Sequence, residues 1–207
     1  MDETRHDQMS NAPQVAGLIL AAGYSRRFGG DKRLASFNGQ TLLAATAARL
    51  APHVATMAVM LRHGESIEPF GLSFDAYVMR APSSPIGMGT SLAAAVSGLL
   101  ASTEPRHLQC EALALMLGDM PDVRDETLSA LVAHAGGDII VRPSHQGRMG
   151  HPVVFGRAFW PALAALSGDE GARVLLKRHA SQVVTLKTSD PGILVDVDTY
   201  DDLSSLQ

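Results

Sequence analysis

The sequence predicts a single α/β domain of the Rossmann-like type, with three layers (α/β/α) around a mostly parallel, mixed sheet. Apolar runs of strand length alternate with stretches of helical periodicity, separated by short turns, which is typical of βαβ units. A length of 207 residues with 46% hydrophobic residues is enough to bury one core of that size. The sequence has no internal repeat and no long linker. We therefore expect a disordered polar tail over residues 1–14 and one domain over residues 15–207.

The first predicted strand covers residues 15–21, a continuous apolar run typical of a strand with both faces covered. A loop rich in glycine and cations follows, and Thr41 is predicted to cap a helix. The elements predicted next are strands at 55–61 and 76–80, a helix from Ser91, a buried strand at 112–121 that ends in an acid, a helix near 125–135 and a strand at 138–143.

From about residue 144 the pattern becomes irregular. The sequence predicts short strands around a glycine-rich turn within 144–156, and helices at 159–166 and 169–180. Ser167 and Glu170 have the spacing of a capping box for the second of these helices. The last predicted elements are short strands at 182–186 and 193–197 and a closing helix after Thr199.

Composition excludes several classes of protein. A net charge of −4, spread along the chain, argues against a nucleic-acid binder that works by neutralising phosphates. The one cysteine, Cys110, excludes an internal disulfide framework and an all-cysteine zinc site. The charge-free stretch between Arg80 and Glu104 contains prolines and glycines and predicts a loop followed by a helix, with no membrane span. We expect a soluble, cytoplasmic protein without membrane or nucleic-acid partners.

The loop over residues 20–34 is the most informative segment. It leaves the carboxyl end of a strand, where parallel sheets bind ligands. Its glycines allow close backbone approach to an anion, and its cations would neutralise one: Gly23, Gly29 and Gly30, with Arg26, Arg27 and Lys32. This combination predicts a polyphosphate cradle, although the spacing fits neither a P-loop nor GxGxxG. The alternative is a solvated basic turn.

Two acidic segments are candidates to hold a metal. Asp119 follows a buried strand and would face the same crevice, where its oxygens suit Mg²⁺. Alternatively, Asp119 forms a turn before Pro121. Asp196 and Asp198 would lie on the same side of a short strand, where they could share a metal or cap the last helix. The residues alone do not decide between Asp196 and Asp198.

The segment LAAGYSRRFGGDK resembles the signature LAAGxSxRxGxxK of the nucleotidyltransferase family that includes the molybdenum cofactor nucleotidyltransferases and the sugar-phosphate nucleotidylyltransferases. The resemblance extends from about residue 15 to residue 203 and implies a fold of the nucleotide-diphospho-sugar transferase type. The Leu-Ala-Ala-Gly motif, with Ala22 as its third residue, resembles the cytidylyl-transferring branch of the family and therefore favours CTP as the nucleotide. The nucleotide-binding residues that the resemblance implies are Leu20, Ala21, Ala22, Gly23, Ser25, Arg26, Arg27, Lys32, Pro82, Gly89, Ser91 and Asp119.

Three later segments also resemble this family. The loop and helix start at GMGTSL resemble the Gly-Met-x-x-Ser-Leu pattern of the molybdopterin cytidylyltransferases, which implies a base pocket over residues 82–91. Alternatively, Thr90 or Ser91 is an ordinary N-cap. His151 lies in a Gly-His-Pro segment that resembles the acceptor-binding segment, and Arg173 in GDEGAR would reach an acceptor phosphate. A purely structural histidine is the alternative for His151.

The resemblance implies transfer of CMP from CTP to the terminal phosphate of the molybdenum-pterin cofactor, with release of pyrophosphate. Arg27, Lys32 and Asp119 would be catalytic, and Asp119 and Asp198 would bind Mg²⁺. A molybdenum hydroxylase would be the client enzyme that receives the product. Two alternatives remain open at this stage: a nucleotidyltransferase acting on a sugar or alditol phosphate, and a non-catalytic cofactor carrier.

Overall fold

The computed structural model describes residues 13–25, 27–84 and 87–207. Residues 1–12 of the expected polar tail, together with Arg26, Pro85 and Ile86, lie outside the described residues. The strands are β1 (Val15–Leu20), β2 (Ser36–Phe37), β3 (Gln40–Thr41), β4 (Thr56–Leu61), β5 (Tyr77–Arg80), β6 (Ala112–Leu117), β7 (Ile140–His145), β8 (Arg148–Met149), β9 (Val153–Gly156) and β10 (Val183–Lys187). The α-helices are α1 (Leu42–Leu50), α2 (Met88–Ala101), α3 (Pro105–Leu108), α4 (Asp125–Ala133), α5 (Trp160–Ala164), α6 (Arg173–Arg178) and α7 (Tyr200–Ser205).

The main sheet is 8-stranded and has the order β10-β7-β9-β6-β1-β4-β5, with β8 paired to β7. Strand β1 pairs in parallel with β4 and β6, and β4 pairs in parallel with β5. Strand β9 runs antiparallel to both β6 and β7, while β10 is parallel to β7. The sheet is thus mostly parallel and mixed, as predicted, and β1, β6 and β7 all end at the same edge.

Helices cover both faces of the sheet, which explains the continuous apolar runs of β1 and β6. Ile19 packs with α1 and α4 in one core cluster, whereas its neighbour Leu18 packs with α2, α5 and α6 in the other. Alternate side chains of a strand point to opposite faces, so both faces of β1 are buried in a three-layer arrangement. In the part of the chain that the structure describes, no helix is both long and apolar enough to cross a membrane.

The segment predicted as a strand over residues 193–197 is not one. Pro191–Leu194 forms a turn of 3₁₀ helix, in which the Asp190 side chain accepts a hydrogen bond of 2.8 Å from the Gly192 amide. The Val197 amide then donates to the Asp119 carbonyl at 3.0 Å. The segment therefore lies against the turn after β6 instead of joining the sheet.

Two predicted helix starts also differ from the structure. Helix α6 begins at Arg173, without the capping box predicted from Ser167. Helix α2 begins at Met88 after Gly87, so neither Thr90 nor Ser91 is its N-cap. The Thr90 hydroxyl instead accepts a hydrogen bond of 3.1 Å from the Gly168 amide. Neither predicted cap forms, and the start of α2 instead contacts the loop before α6.

The other helix starts agree with prediction. Thr41 caps α1 by accepting a hydrogen bond of 3.1 Å from the Ala44 amide. Helix α7 follows Thr199, which forms a capping box with Asp202. These caps depend on residues close in sequence, so sequence patterns can reveal them.

Candidate active site

The loop after β1 is bound by a cluster of charged side chains around the buried Arg33. Arg33 is only 3% exposed, forms ion pairs with Asp31 (2.5 Å) and Glu65 (2.6 Å), and donates to the Ala21 carbonyl at 2.6 Å. Arg62 joins the same cluster through Asp31 at 3.0 Å and also donates to the Gly23 carbonyl. Arg33, Arg62 and Glu65 are not among the residues predicted from the sequence. The arginine close to Asp31 and Lys32 was the available signal, but its second acidic partner, Glu65, is distant in sequence.

This cluster perturbs the titration of its members. Burial raises the pKa of Asp31 and of Glu65, but hydrogen bonds and charge from Arg33 and Arg62 outweigh burial and hold both values below normal. The same carboxylates raise the pKa of Arg33 above its ordinary value although burial opposes them. The cluster is therefore fully ionised at neutral pH.

Lys32 bridges two carboxylates that are remote in sequence. Its Nζ lies 2.6 Å from Asp119 Oδ2 and 3.3 Å from Asp198 Oδ1, and it donates to the Val197 carbonyl at 2.7 Å. Arg27 reaches the other Asp198 oxygen at 2.7 Å and is itself 75% exposed. The loop after β1, the turn after β6 and the segment before α7 thus meet at the carboxyl edge of the sheet.

Packing accounts for the position of Asp198. Val197 is buried in a small cluster with Phe28 from the loop and Leu203 from α7. The Phe28 ring lies 4.1 Å from the ring of Tyr200. Because Val197 is anchored to the loop and its amide binds the turn at Asp119, Asp198 is directed at Lys32. Asp196 on the other side of Val197 is exposed.

Asp119 carries a carboxylate oxygen with no donor. Its Oδ1 atom is buried and has no hydrogen-bond partner among the described residues. Burial raises the pKa of Asp119, and the charges of Asp196 and Asp198 raise it further, against the influence of Lys32. A buried oxygen without a donor is costly, and a cation at this position would relieve that cost.

These residues fit a divalent metal. Mg²⁺ is usually held by one or two carboxylates together with substrate phosphates and waters. Asp119 and Asp198 supply the carboxylates. Within the described ranges no three His, Cys, Asp or Glu side chains form a metal cage. A metal held by these two carboxylates would complete its coordination with waters and substrate phosphates.

Gly29 and Gly30 of the predicted cradle line a cavity of about 330 Å³. It is lined by Tyr24, Ser25, Gly29, Gly30, Asp31 and Arg62. Ser25 adopts a positive φ of 48°, and its hydroxyl is buried without a hydrogen-bond partner among the described residues. Leu20 and Ala21 continue the sheet edge, where their backbones bond to Gly118 (3.0 Å) and Met60 (2.9 Å). Arg26 lies outside the described residues, and the half-buried Ala22 contacts the core.

The start of α2 packs tightly on the loop over residues 167–171. A Cβ at Gly89 would overlap the carbonyl oxygen of Glu170, and one at Gly87 would overlap that of Gly168. This packing by itself requires glycine at both positions. Pro82 is exposed and Ser91 is half-buried near this junction. The nucleotide-binding roles of Pro82, Gly89 and Ser91 stay predictions.

His151 lies beside β7 at the same edge of the sheet. Its amide donates to the Ile193 carbonyl at 2.9 Å, and its Nδ1 atom is buried with no partner among the described residues. Burial and the charge of Arg142 hold the pKa of His151 below normal, although the Leu115 backbone and Asp196 oppose them. His151 is therefore neutral at neutral pH. Arg142 is not among the residues predicted from the sequence, where the available signal was a lone cation in an apolar strand.

Comparisons with known proteins agree on the family. The MobA-like NTP transferase domain matches residues 17–183. The purine catabolism protein PucB of Bacillus subtilis is 29% identical over 91% of this chain and 93% of its own length. Nicotine blue oxidoreductase of Paenarthrobacter nicotinovorans is 31% identical over 95% and 98%, respectively. A molybdenum cofactor guanylyltransferase of Photobacterium profundum is 24% identical over 94% and 96%.

Solved structures agree with this result. The Rv0371c homologue of Mycobacterium sp. strain JC1 superposes with a TM-score of 0.75 at 31% identity, covering 93% of this chain and 94% of its own. Rv0371c of Mycobacterium tuberculosis H37Rv in complex with manganese gives a TM-score of 0.70 at 25% identity, over 94% and 98%. The fold is that of nucleotide-diphospho-sugar transferases, as predicted. With its glycine-rich loop, its paired carboxylates and this match over most of its length, the chain belongs to the MobA-like NTP transferase family of nucleotidyltransferases.

Proposed function

We propose that this nucleotidyltransferase moves CMP from CTP to the terminal phosphate of the molybdenum-pterin cofactor and releases pyrophosphate. The observation that carries the proposal is the bridge from Lys32 to Asp119 and Asp198, at 2.6 and 3.3 Å, beside a glycine-rich loop. The relative named molybdenum cofactor guanylyltransferase supports a molybdenum-pterin acceptor. Preference for CTP over GTP rests on Ala22 in the segment Leu-Ala-Ala-Gly.

The reaction needs no covalent nucleophile from the protein. An oxygen of the acceptor phosphate forms a bond to the α-phosphorus of CTP, while the bond from that phosphorus to the β-phosphate oxygen breaks. Both reactants are anionic, so catalysis consists mainly of positioning and charge compensation. This fits a site built from cations and carboxylates.

The residues of the loop have distinct tasks in this reaction. Burial lowers the pKa of Lys32, but Asp119 and Asp198 outweigh it and raise the pKa above normal, so the ammonium keeps its proton. Arg27 is exposed and can follow the triphosphate. Mg²⁺, held by Asp119 and Asp198, would offset the charge on the α-phosphate oxygens. The manganese in the Rv0371c complex supports a divalent metal in this fold.

The test is pyrophosphate release from CTP or GTP in the presence of Mg²⁺ and the pterin acceptor. We expect turnover with CTP, and much less with GTP. Turnover with GTP alone would overturn the choice of nucleotide. Turnover only with a sugar or alditol phosphate would overturn the acceptor, and binding without pyrophosphate release would favour a cofactor carrier. A cytoplasmic location and delivery of the product to a molybdenum hydroxylase complete the proposal.

The name of one relative, nicotine blue oxidoreductase, raises a different reaction. The cluster of Lys32, Asp119 and Asp198 favours phosphoryl chemistry, because a lysine between two carboxylates beside a glycine-rich loop suits a metal-bound polyphosphate. The Asp119→Asn variant separates the two reactions. It should lose nucleotidyl transfer, and an oxidoreductase activity that survived unchanged in this variant would count against the proposal.

A further inference from the structure

Arg142 on β7 is a half-buried cation that has no side-chain partner among the residues that the structure describes. Its Nε atom is buried and has no hydrogen-bond partner among the described residues, and its guanidinium forms no ion pair there. The other buried or half-buried arginines in the described part of the chain have hydrogen-bond or ion-pair partners. Arg33 binds Asp31 and Glu65, and Arg157 donates to the carbonyls of Cys110 (2.8 Å) and His107 (3.2 Å). Arg142 departs from this rule.

A second arginine, Arg173, lies on the same face of the sheet as Arg142. Ile140 packs on the face of the sheet that α5 and α6 cover, and Arg142, two residues further along β7, points to the same face. Helix α6 begins on that face with Arg173, which is exposed and likewise forms no ion pair within the described residues. Burial lowers the pKa of Arg142, and the charge of Arg173 lowers it further. The two guanidinium groups therefore repel each other, and no described carboxylate forms an ion pair with either of them.

Arg142 lies beside the turn that carries His151. The Gly150 amide donates to the Pro143 carbonyl at 3.1 Å, which ties this turn to β7 one residue after Arg142. A Cβ at Gly150 would overlap the Ile193 carbonyl, so the turn is also packed against the segment that leads to Asp198. The segments that contain Arg142 and Asp198 therefore both contact this turn.

We propose that Arg142 binds a phosphate monoester group of the acceptor substrate, together with Arg173, for which the family resemblance already implies a contact with an acceptor phosphate. Two neighbouring cations with free N–H donors match a dianion that has several acceptor oxygens. Arg142 would then be a specificity-determining residue that selects phosphorylated acceptors. This inference rests on the proposed function, because it assigns the acceptor half of the same site.

The kinetic test uses Arg142→Met and Arg173→Met, with Arg148→Met as the matched control. Arg148 is an exposed cation on β8, which pairs with β7. Loss of one charged hydrogen-bonding partner should raise KM for the pterin acceptor about 10- to 100-fold and leave KM for CTP unchanged. Arg142→Lys should raise the acceptor KM less than Arg142→Met does, since lysine keeps the positive charge but lacks the paired N–H donors of the guanidinium. An unchanged acceptor KM in both Met variants would overturn the inference.

A second measurement does not depend on turnover. Inorganic phosphate should raise the Tm of the wild-type protein and of Arg148→Met, and Arg142→Met should lose at least about half of that increase. Phosphate bound only at the loop near Lys32 would stabilise all the proteins equally, which would overturn the inference. Should the wild-type protein release no pyrophosphate with any nucleotide, the proposed function fails, while this measurement still decides the role of the arginine pair.

Discussion

Replacing Asp119 with asparagine separates catalysis from stability at this site. The change keeps the shape of the side chain and removes its charge. It weakens the contact with Lys32 at 2.6 Å, a charge-assisted hydrogen bond worth about 1.5–3 kcal/mol. It also removes the repulsion from Asp196 and Asp198 and the cost of burying a carboxylate that is 15% exposed. We expect these effects nearly to cancel, so that the free energy of unfolding changes by about 1 kcal/mol or less.

Activity should respond very differently to Asp119→Asn. Charge stabilisation by a metal is worth several kcal/mol in a transition state. A loss of about 3 kcal/mol corresponds to a rate decrease of more than about 100-fold, because each 1.36 kcal/mol is tenfold.

Two assays test this prediction. The rate is followed by pyrophosphate release at saturating Mg²⁺, and stability by urea denaturation monitored through the fluorescence of Trp160. A folded Asp119→Asn protein with near wild-type turnover would refute the metal assignment. A protein that lost several kcal/mol of stability would instead show that Asp119 is structural.

Three further predictions concern other charged residues of the candidate site. Asp198→Asn should reduce turnover at least about tenfold and raise the Mg²⁺ concentration needed for activity. Asp196→Asn, in which the replaced side chain is exposed, should change turnover and the Mg²⁺ requirement less than about twofold. Equal effects of the two variants in the same assay would contradict the assignment of Asp198 as the metal ligand. Arg33→Met should lower the free energy of unfolding by about 3–5 kcal/mol in urea denaturation, since it leaves Asp31 and Glu65 without their buried partner, and a loss below about 1 kcal/mol would show that Arg62 compensates. The pKa values of Asp31 and Glu65 are lowered from 3.8 and 4.5, so the stability that these two carboxylates contribute should be fully present above about pH 5 and should be lost as the pH falls through their folded pKa values. A free energy of unfolding that stayed constant from about pH 5 to about pH 3 would show that the two carboxylates do not stabilise the fold.

The fold was largely predictable from sequence because its signals are local. The apolar run of β1 and the cap at Thr41 depend on residues within a few positions of each other. The 193–197 segment was misassigned for the opposite reason. Its alternating pattern suits a strand, but the Val197 amide bonds to Asp119 across the fold and takes it away from the sheet. Apolar alternation does not specify a pairing partner.

The sequence by itself determined the parts of the candidate site that adjoin strands. Lys32 follows β1 and Asp119 follows β6, and parallel neighbours in a sheet must end at the same edge. Only the tertiary structure decided which remote charges meet there. It paired Arg33 with Glu65, directed Asp198 and not Asp196 at Lys32, and left Arg142 without a partner among the described residues. The physical reason is range: hydrophobic periodicity and caps act between neighbours in the chain, whereas charge pairing depends on distances that exist only after the core has packed.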